Sequence, residues 1–285
     1  MKPLRKIGII TFIKKAAVNE AILRLADDPA FADCCFFYDR GINRFSHPRL
    51  NGLASNRFPG ALDALVSFGG DGSFLSASRL VLAAKVPLVG VNMGGLGFLT
   101  DVPVNHANIE LRRIFDGRYF KESRRMFDVS LLRSGRTCLA EVCLNDAVVK
   151  GERLLNFSVS HGQKLVSVYN ADGLIVATPT GSTAYCMAAG GPIADPALEC
   201  AIIAPICSHS LTQKPIVLSM KRPVAITLTR GRAKAALMVD GKRVVPFHEG
   251  DTVVIARSRS VTTLLKPLNF DYFGMLRKKL NWGRD

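Results

Sequence analysis

The stretch Ala64-Leu65-Val66-Ser67-Phe68-Gly69-Gly70-Asp71-Gly72-Ser73-Phe74-Leu75 sets one carboxylate among three glycines. Glycine backbones reach positive φ or let a ligand approach closely. Consecutive N–H groups in such a turn, backed by the start of a helix, form an anion-binding cup. A carboxylate that only lined the cup would repel a phosphate. The chemistry that suits Asp71 is to accept a proton from a hydroxyl beside the phosphate, or to hold a metal there. A plain glycine turn in which Asp71 merely caps the helix is the alternative.

Four further groupings could do chemistry. Asn92-Met93-Gly94-Gly95-Leu96-Gly97-Phe98-Leu99-Thr100 is a second glycine turn. It lacks the Gly-x-Gly-x-x-Gly spacing of a dinucleotide fold, and neither turn ends in the Lys-Ser/Thr of a P-loop. Phe98 belongs to the core or stacks on a base. Asn145-Asp146 places an amide beside a carboxylate at a strand end, which suits base and ribose hydroxyl contacts or an ordinary polar turn. Ala171-Asp172-Gly173 is read as a turn carrying another carboxylate. Thr178-Pro179-Thr180-Gly181-Ser182-Thr183-Ala184-Tyr185 offers hydroxyl and backbone donors, a helix N-cap and a ring, or is an ordinary strand-to-helix turn.

The elements that must position these residues follow from periodicity. Lys6–Thr11, Cys34–Tyr38, Leu65–Phe68 and Val86–Asn92 read as strands. Helical spacing covers about Lys14–Ala26, Ser73–Ala84 and Asn108–Phe115, the last ended by Asp116-Gly117. Residues 39–60, with Gly41, Pro48, Asn51-Gly52 and Pro59-Gly60, read as a loop with one helical turn. This alternation predicts a parallel sheet covered by helices, with ligands beyond the carboxyl ends of the strands, where Asp71 and Asn92 stand. Beyond residue 120 the period changes. Arg125–Leu132, Thr137–Leu144, Leu155–His161, Lys164–Tyr169, Val217–Ser219, Val224–Thr229, Ala235–Val239 and Thr252–Ala256 read as strands of a β-rich second domain. The tail holds a basic apolar helix, Phe273–Leu280, expected to pack on the first domain.

Composition bounds the rest. The chain has 285 residues, 48% of them hydrophobic and 21% charged, which suits a globular protein of one large or two medium domains. No apolar run reaches membrane-spanning length, and Met1–Lys6 leads into a strand instead of a signal-peptide core, so a cytoplasmic location and no membrane partner are expected. The seven cysteines, an odd number with Cys34-Cys35 adjacent, are expected to be reduced, and Cys138 with Cys143 lacks the companions of a zinc site. Net charge is +15. The basic groups Arg112-Arg113, Arg124-Arg125, Arg230 with Arg232 and Lys234, and Arg277-Lys278-Lys279 are not interleaved with aromatic platforms. They read as a solvated surface that also attracts nucleotide phosphates, not as a nucleic-acid site.

Taken together, Gly69-Gly70-Asp71-Gly72-Ser73, Asn92 to Thr100, Asn145-Asp146, and Asp172-Gly173 leading into Thr178 to Tyr185 resemble the NAD kinase family, with Gly190-Gly191-Pro192 and Val239-Asp240-Gly241 also fitting. The likeness covers nearly the whole chain in family order. Gly-Gly-Asp-Gly is shared with diacylglycerol-type lipid kinases and phosphofructokinases; the Thr178–Tyr185 element with the Asn-x-Gly-x-x-Gly-Phe turn is the specific part.

The resemblance implies transfer of the γ-phosphoryl group of ATP, or of polyphosphate, to the 2′-hydroxyl of the adenosine ribose of NAD. Asp71 would be the base or orient that hydroxyl, with Gly72 beside it. Asn145 and Asp146 would bind adenine and ribose, and Phe98 and Tyr185 would wall the adenosine. Asp172, with Thr183 and Ala184, would hold the nicotinamide side, Thr180 is a further substrate contact, and Arg153 falls where the family has a cationic substrate contact. A divalent cation, Mg²⁺, would travel with the phosphate donor, with no protein metal site. Homodimers or homotetramers with sites completed across subunits are implied as well. The chain departs from the family at Asp146, where glutamate is usual, at Ala188, where a serine is frequent, and at Lys242, where a glutamine is frequent. The expected fold is an α/β Rossmann-like parallel-sheet domain, residues 1–120 with tail 265–285, plus a β-rich, β-sandwich-like domain, residues 121–264. Two alternatives stand beside this reading: a lipid or other small-alcohol kinase with the same turn, and a non-catalytic dinucleotide-binding module.

Overall fold

The computed structural model describes residues 2–82, 84–95, 97–230 and 234–283. Leu96 of the second glycine turn and Arg232 of one basic group lie outside the described residues. The chain divides into two compact units, Met1–Ser123 with Thr262–Asp285, and Arg124–Val261.

The first unit is built on β1 (Lys6–Thr11), α1 (Ala16–Asp27), β2 (Cys35–Asp39), β3 (Leu50–Leu53), β4 (Ala64–Gly69), α2 (Asp71–Val81), β5 (Leu88–Asn92), β6 (Val102–Pro103) and α3 (Ala107–Phe115). The strands pair parallel in the order β3-β2-β1-β4-β5. β4 and β5 are buried at every residue, as central strands covered on both faces must be. The order reverses direction between β1 and β4, so a crevice opens beyond their carboxyl ends. Residues 39–60, expected as a loop, contain β3 and a 3₁₀ turn, Ser55–Arg57. An edge strand needs only one apolar face, and β3 keeps just Leu50 buried, so its signal was weak.

The second unit comprises β7 (Tyr119–Arg133) from Arg124 on, β8 (Arg136–Cys143), β9 (Asp146–His161), β10 (Lys164–Ala177), α4 (Tyr185–Ala188), β11 (Cys200–Ile206), β12 (Ile216–Ser219), β13 (Val224–Arg230), β14 (Ala235–Val239), β15 (Arg243–Phe247) and β16 (Thr252–Pro267) as far as Val261. Its strands pair antiparallel in the order β12-β11-β10-β9-β13-β16, with β14 also on β9 and β15 on β14. Leu155, Phe157 and Val159 of β9 face the core while polar residues alternate between them.

Three local expectations are corrected here. Asn145-Asp146 does not end a strand; Asp146 begins β9. Ala171-Asp172-Gly173 is not a turn but a register irregularity inside β10. A Cβ on Gly173 would collide with the Val149 carbonyl, so glycine there serves close strand approach. The fully buried strand β11, CAIIAPI, was missed because it contains Pro205 and shows no alternation.

After β16 the chain closes the first unit. Leu264 pairs parallel with Leu88 on β5, and α5 (Tyr272–Leu280) follows with Met275 and Leu276 buried. Lys266, fully buried, is paired with Asp101. None of the seven cysteines forms a disulfide. Among the described residues no helix is long and apolar enough to cross a membrane.

Candidate functional site

β4 ends at Gly69, Gly70 occupies the N-cap, and Asp71 is the first residue of α2. Asp71 makes no capping bond. Its carboxylate reaches the second glycine turn instead, accepting the N–H of Phe98 at 2.9 Å and of Leu99 at 3.0 Å. The second turn is folded by Asn92, whose amide donates to the Gly95 carbonyl (2.8 Å) and to Thr100 Oγ1 (3.0 Å), and whose Oδ1 accepts from Gly94 N–H (2.8 Å). A Cβ on Gly97 would strike Thr100 Oγ1 and the Asp71 carboxylate, so glycine is required there by close approach.

Gly70, Gly72, Gly94 and Gly95 behave differently. A Cβ on any of them would meet nothing within 4 Å. Packing within the chain does not demand glycine at these positions, and the backbone beside Asp71 is open. At the carboxyl end of β1 lies a cavity of 670 Å³, lined among others by Lys14, Lys15 and Arg44. Ile13, also in its wall, comes within 3.4 Å of where a Gly69 Cβ would stand, so the basic cavity adjoins the glycine turn. Phe98 is half-buried, and the ammonium of Lys279, on α5, lies 3.6 Å from its ring centroid.

In the second unit the residues around Asn145 are gripped from two sides. The Asp240 carboxylate accepts the N–H groups of Leu144 (3.0 Å), Asn145 (2.7 Å) and Asp146 (3.2 Å). Asp240 takes a left-handed backbone (φ 49°), a conformation that aspartate tolerates. From the other side Thr178 donates its N–H to the Asn145 carbonyl (2.8 Å) and its hydroxyl to the Leu144 carbonyl (2.6 Å). The same hydroxyl accepts Gly181 N–H at 3.0 Å. A Cβ on Gly181 would run into the Asn145 backbone. Asn145 Oδ1 is buried with no hydrogen-bond partner among the described residues. Asp146 is buried too; burial first and the charge of Asp240 second raise its carboxyl pKa to about 7. Burial and the Asp146 charge push the Cys186 thiol up to about 12.

Thr180 to Thr183 form a 3₁₀ turn with Thr180 buried, and Ala184 leads into α4. Tyr185 and Ala188 are exposed, and the Tyr185 hydroxyl lies 3.5 Å from Lys150 Nζ on β9. Asp172 and the exposed Arg153 share one feature of the ladder. Gly173 pairs with Lys150 and Ala171 with Leu155, so residues 151–154 of β9 stand opposite Asp172 alone. The second unit thus gathers Asn145, Asp146 and the Thr180–Tyr185 turn into one bonded group. Arg153 and Asp172 meet at a separate irregularity. Asp240, Thr178 and Lys279 were given no role on sequence. An Asp-Gly after an apolar strand signals the turn at Asp240, but nothing local to Lys279 marks it.

The model of the ATP-NAD kinase C-terminal domain matches residues 141–266, and that of the ATP-NAD kinase N-terminal domain matches residues 41–119. The NAD kinase of Thiobacillus denitrificans is 40% identical over 247 residues, covering 86% of this chain and 83% of its own. The chain belongs to the NAD kinase family. The NAD kinase of Laribacter hongkongensis is 35% identical over 283 residues, 98% of this chain and 97% of that protein. Among solved structures, yeast NADH kinase complexed with NADH superposes with a TM-score of 0.88 at 21% identity, covering 100% of this chain and 90% of that one. An NAD kinase from Archaeoglobus fulgidus in complex with ATP gives a TM-score of 0.69 at 24% identity, covering 96% and 98%. At these identities the structures establish the NAD kinase fold: a parallel-sheet N-terminal region and a strand-rich C-terminal one. Family membership makes the chain an enzyme and sets aside both the lipid-kinase and the non-catalytic alternatives.

Proposed function

We propose that the chain phosphorylates the 2′-hydroxyl of the adenosine ribose of NAD with ATP, giving NADP, and that Asp71 takes the hydroxyl proton. The observation that carries this reading is the Asp71 carboxylate standing among glycines whose Cβ positions are open. Each of its oxygens accepts one backbone N–H; Oδ1 also takes the Thr100 hydroxyl at 3.4 Å, which leaves Oδ2 with a second lone-pair direction to offer. Those bonds hold the acceptor still, and positioning is most of what phosphoryl transfer needs from a protein. The Lys14, Lys15 and Arg44 cavity offers positive charge for the donor's phosphates beside that turn.

On the recognition side, the unpaired, buried Asn145 Oδ1 suits an amino group such as that of adenine, and Asp146 suits the ribose hydroxyls. Phe98 and Tyr185 would each offer a ring to the adenosine, Thr180, Thr183 and Ala184 would line the turn beside Tyr185, and Asp172 and Arg153 would be outer contacts. Ala188 lacks a hydroxyl, so it contributes surface without a hydrogen bond. Mg²⁺ would arrive with the donor. Its coordination would draw on the donor's phosphate oxygens. We place the protein in the cytoplasm as a homodimer or homotetramer, with polyphosphate as a second donor to be tested.

The experiment is NADP formation from NAD with ATP and, separately, with polyphosphate, in Mg²⁺ and after chelation. NADP with ATP supports the reading; NAD binding without NADP from either donor overturns it.

A further inference from the structure

Neither glycine turn carries a lysine of its own, and a phosphoryl group bound beside them would face the negative charge of Asp71. A compensating cation comes from the far end of the chain. In α5, Met275 and Leu276 are buried, and Lys279 lies four and three residues beyond them, on the same helical face. The helix therefore turns Lys279 inward. Its side chain is 22% exposed, against 59% for Arg277 on the same helix. The ammonium rests 3.6 Å from the Phe98 ring centroid and 3.9 Å from Asp71 Oδ2. Phe98 is also the residue whose N–H bonds that carboxylate oxygen. Ring, carboxylate and ammonium make one compact group within the first unit.

The placement is poor for a purely structural ion pair. At 3.9 Å the ammonium is within Coulombic reach of Asp71 but beyond hydrogen-bond distance. Burial lowers the Lys279 pKa, and the Asp71 charge only partly opposes this. The helix ends firmly just after it, with Asn281 in the left-handed conformation and its N–H on the Arg277 carbonyl. A partly desolvated cation is thus held on an aromatic face, beside the proton acceptor and the open glycines, with N–H donors to spare.

We propose that Lys279 contacts the transferring phosphoryl group, supplying from the C-terminal helix the cation that the glycine turns lack. This rests on the phosphoryl-transfer reading above. In the step, the 2′-oxygen forms its bond to the γ-phosphorus, and the bond from that phosphorus to the β,γ-bridging oxygen breaks. ADP leaves with the electron pair, and the hydroxyl proton goes to Asp71. Lys279 keeps its proton and donates a hydrogen bond to a non-bridging oxygen, one of the three over which the charge of the transferring group is spread.

The test is Lys279→Met, which keeps the stem on Phe98, together with Lys279→Arg and Lys279→Ala. Expected are a fall in kcat of about 10²-fold in Lys279→Met with KM for NAD nearly unchanged, and partial activity in Lys279→Arg. Propylammonium should restore part of the turnover of Lys279→Ala without accelerating the wild type. A Lys279→Met variant with wild-type kcat overturns the assignment. So does a loss of activity that follows a drop in Tm and answers to no added amine, because Lys279 would then only fasten α5. A wild-type chain that binds NAD and makes no NADP defeats the parent reading instead, and Lys279 with it.

Discussion

Two carboxylate centres, one in each unit, are built on opposite plans. Around Asp71 the backbone is open: four glycines face empty space, and the side chain is 30% exposed. Around Asp146 and Asp240 the packing is closed. Three backbone N–H groups converge on Asp240, Gly181 abuts Asn145, and both carboxylates are buried. The difference follows from what each centre would have to do. A proton acceptor must be reachable by a hydroxyl and by phosphate. A recognition surface gains by being rigid and already desolvated, since ordering and desolvation then need not accompany binding.

The sharpest way to break this comparison is Asp71→Asn. Turnover should fall by about 10³-fold while NAD affinity measured by calorimetry stays close to wild type. Full NADP production by the variant would remove Asp71 as the base. Gly181→Ala tests the closed centre through the fold: the new methyl meets the Asn145 backbone, and urea unfolding should show a loss of about 3 kcal/mol. Asp240→Asn keeps shape and the left-handed backbone but turns an NH₂ toward a backbone N–H. Its expected cost is about 2 kcal/mol in the same assay.

Asp146 should leave a pH signature of its own. Its folded pKa of about 7 lies above the ordinary 3.8, so between these values the folded chain holds a proton that the unfolded chain has lost. Stability should therefore fall as pH rises through that window, by at most about 1.4 kcal/mol per pH unit, and level off above 7. Asp146→Asn should flatten that slope; an unchanged slope would mean that Asp146 is not the group responsible. Least disruptive is Gly72→Ala. Its Cβ enters open space within α2, so stability should hold or rise by up to about 1 kcal/mol. If phosphate approaches there, turnover drops regardless, and fold and chemistry part company at one position.

Legibility in the sequence tracked how local each cause is. The strand–turn–helix at Asp71 was readable because β4 is apolar apart from Ser67 and the glycines follow at once. The Thr178–Tyr185 turn was readable by its density of hydroxyls. What that turn grips was not, since Thr178 and Asn145 meet only through the sheet. Asp172 was misread as a turn because an Asp-Gly pair signals one, whereas here it marks an irregularity between two long strands. Lys279 sat in a run of three basic residues that looked like solvated surface. Only the buried Met275 and Leu276 show which of the three faces inward.

The pairing of Leu88 with Leu264 has a consequence for how the chain is made. On the ribosome β5 emerges long before β16, so on its outer edge, where β6 pairs with Val91 and Asn92, Leu88 must wait for its partner through synthesis of the whole second unit. The first unit to be translated is thus the last to be finished. The same segment also brings Lys266 to Asp101 and Lys279 to Asp71, so both ion pairs form only after α5 has docked.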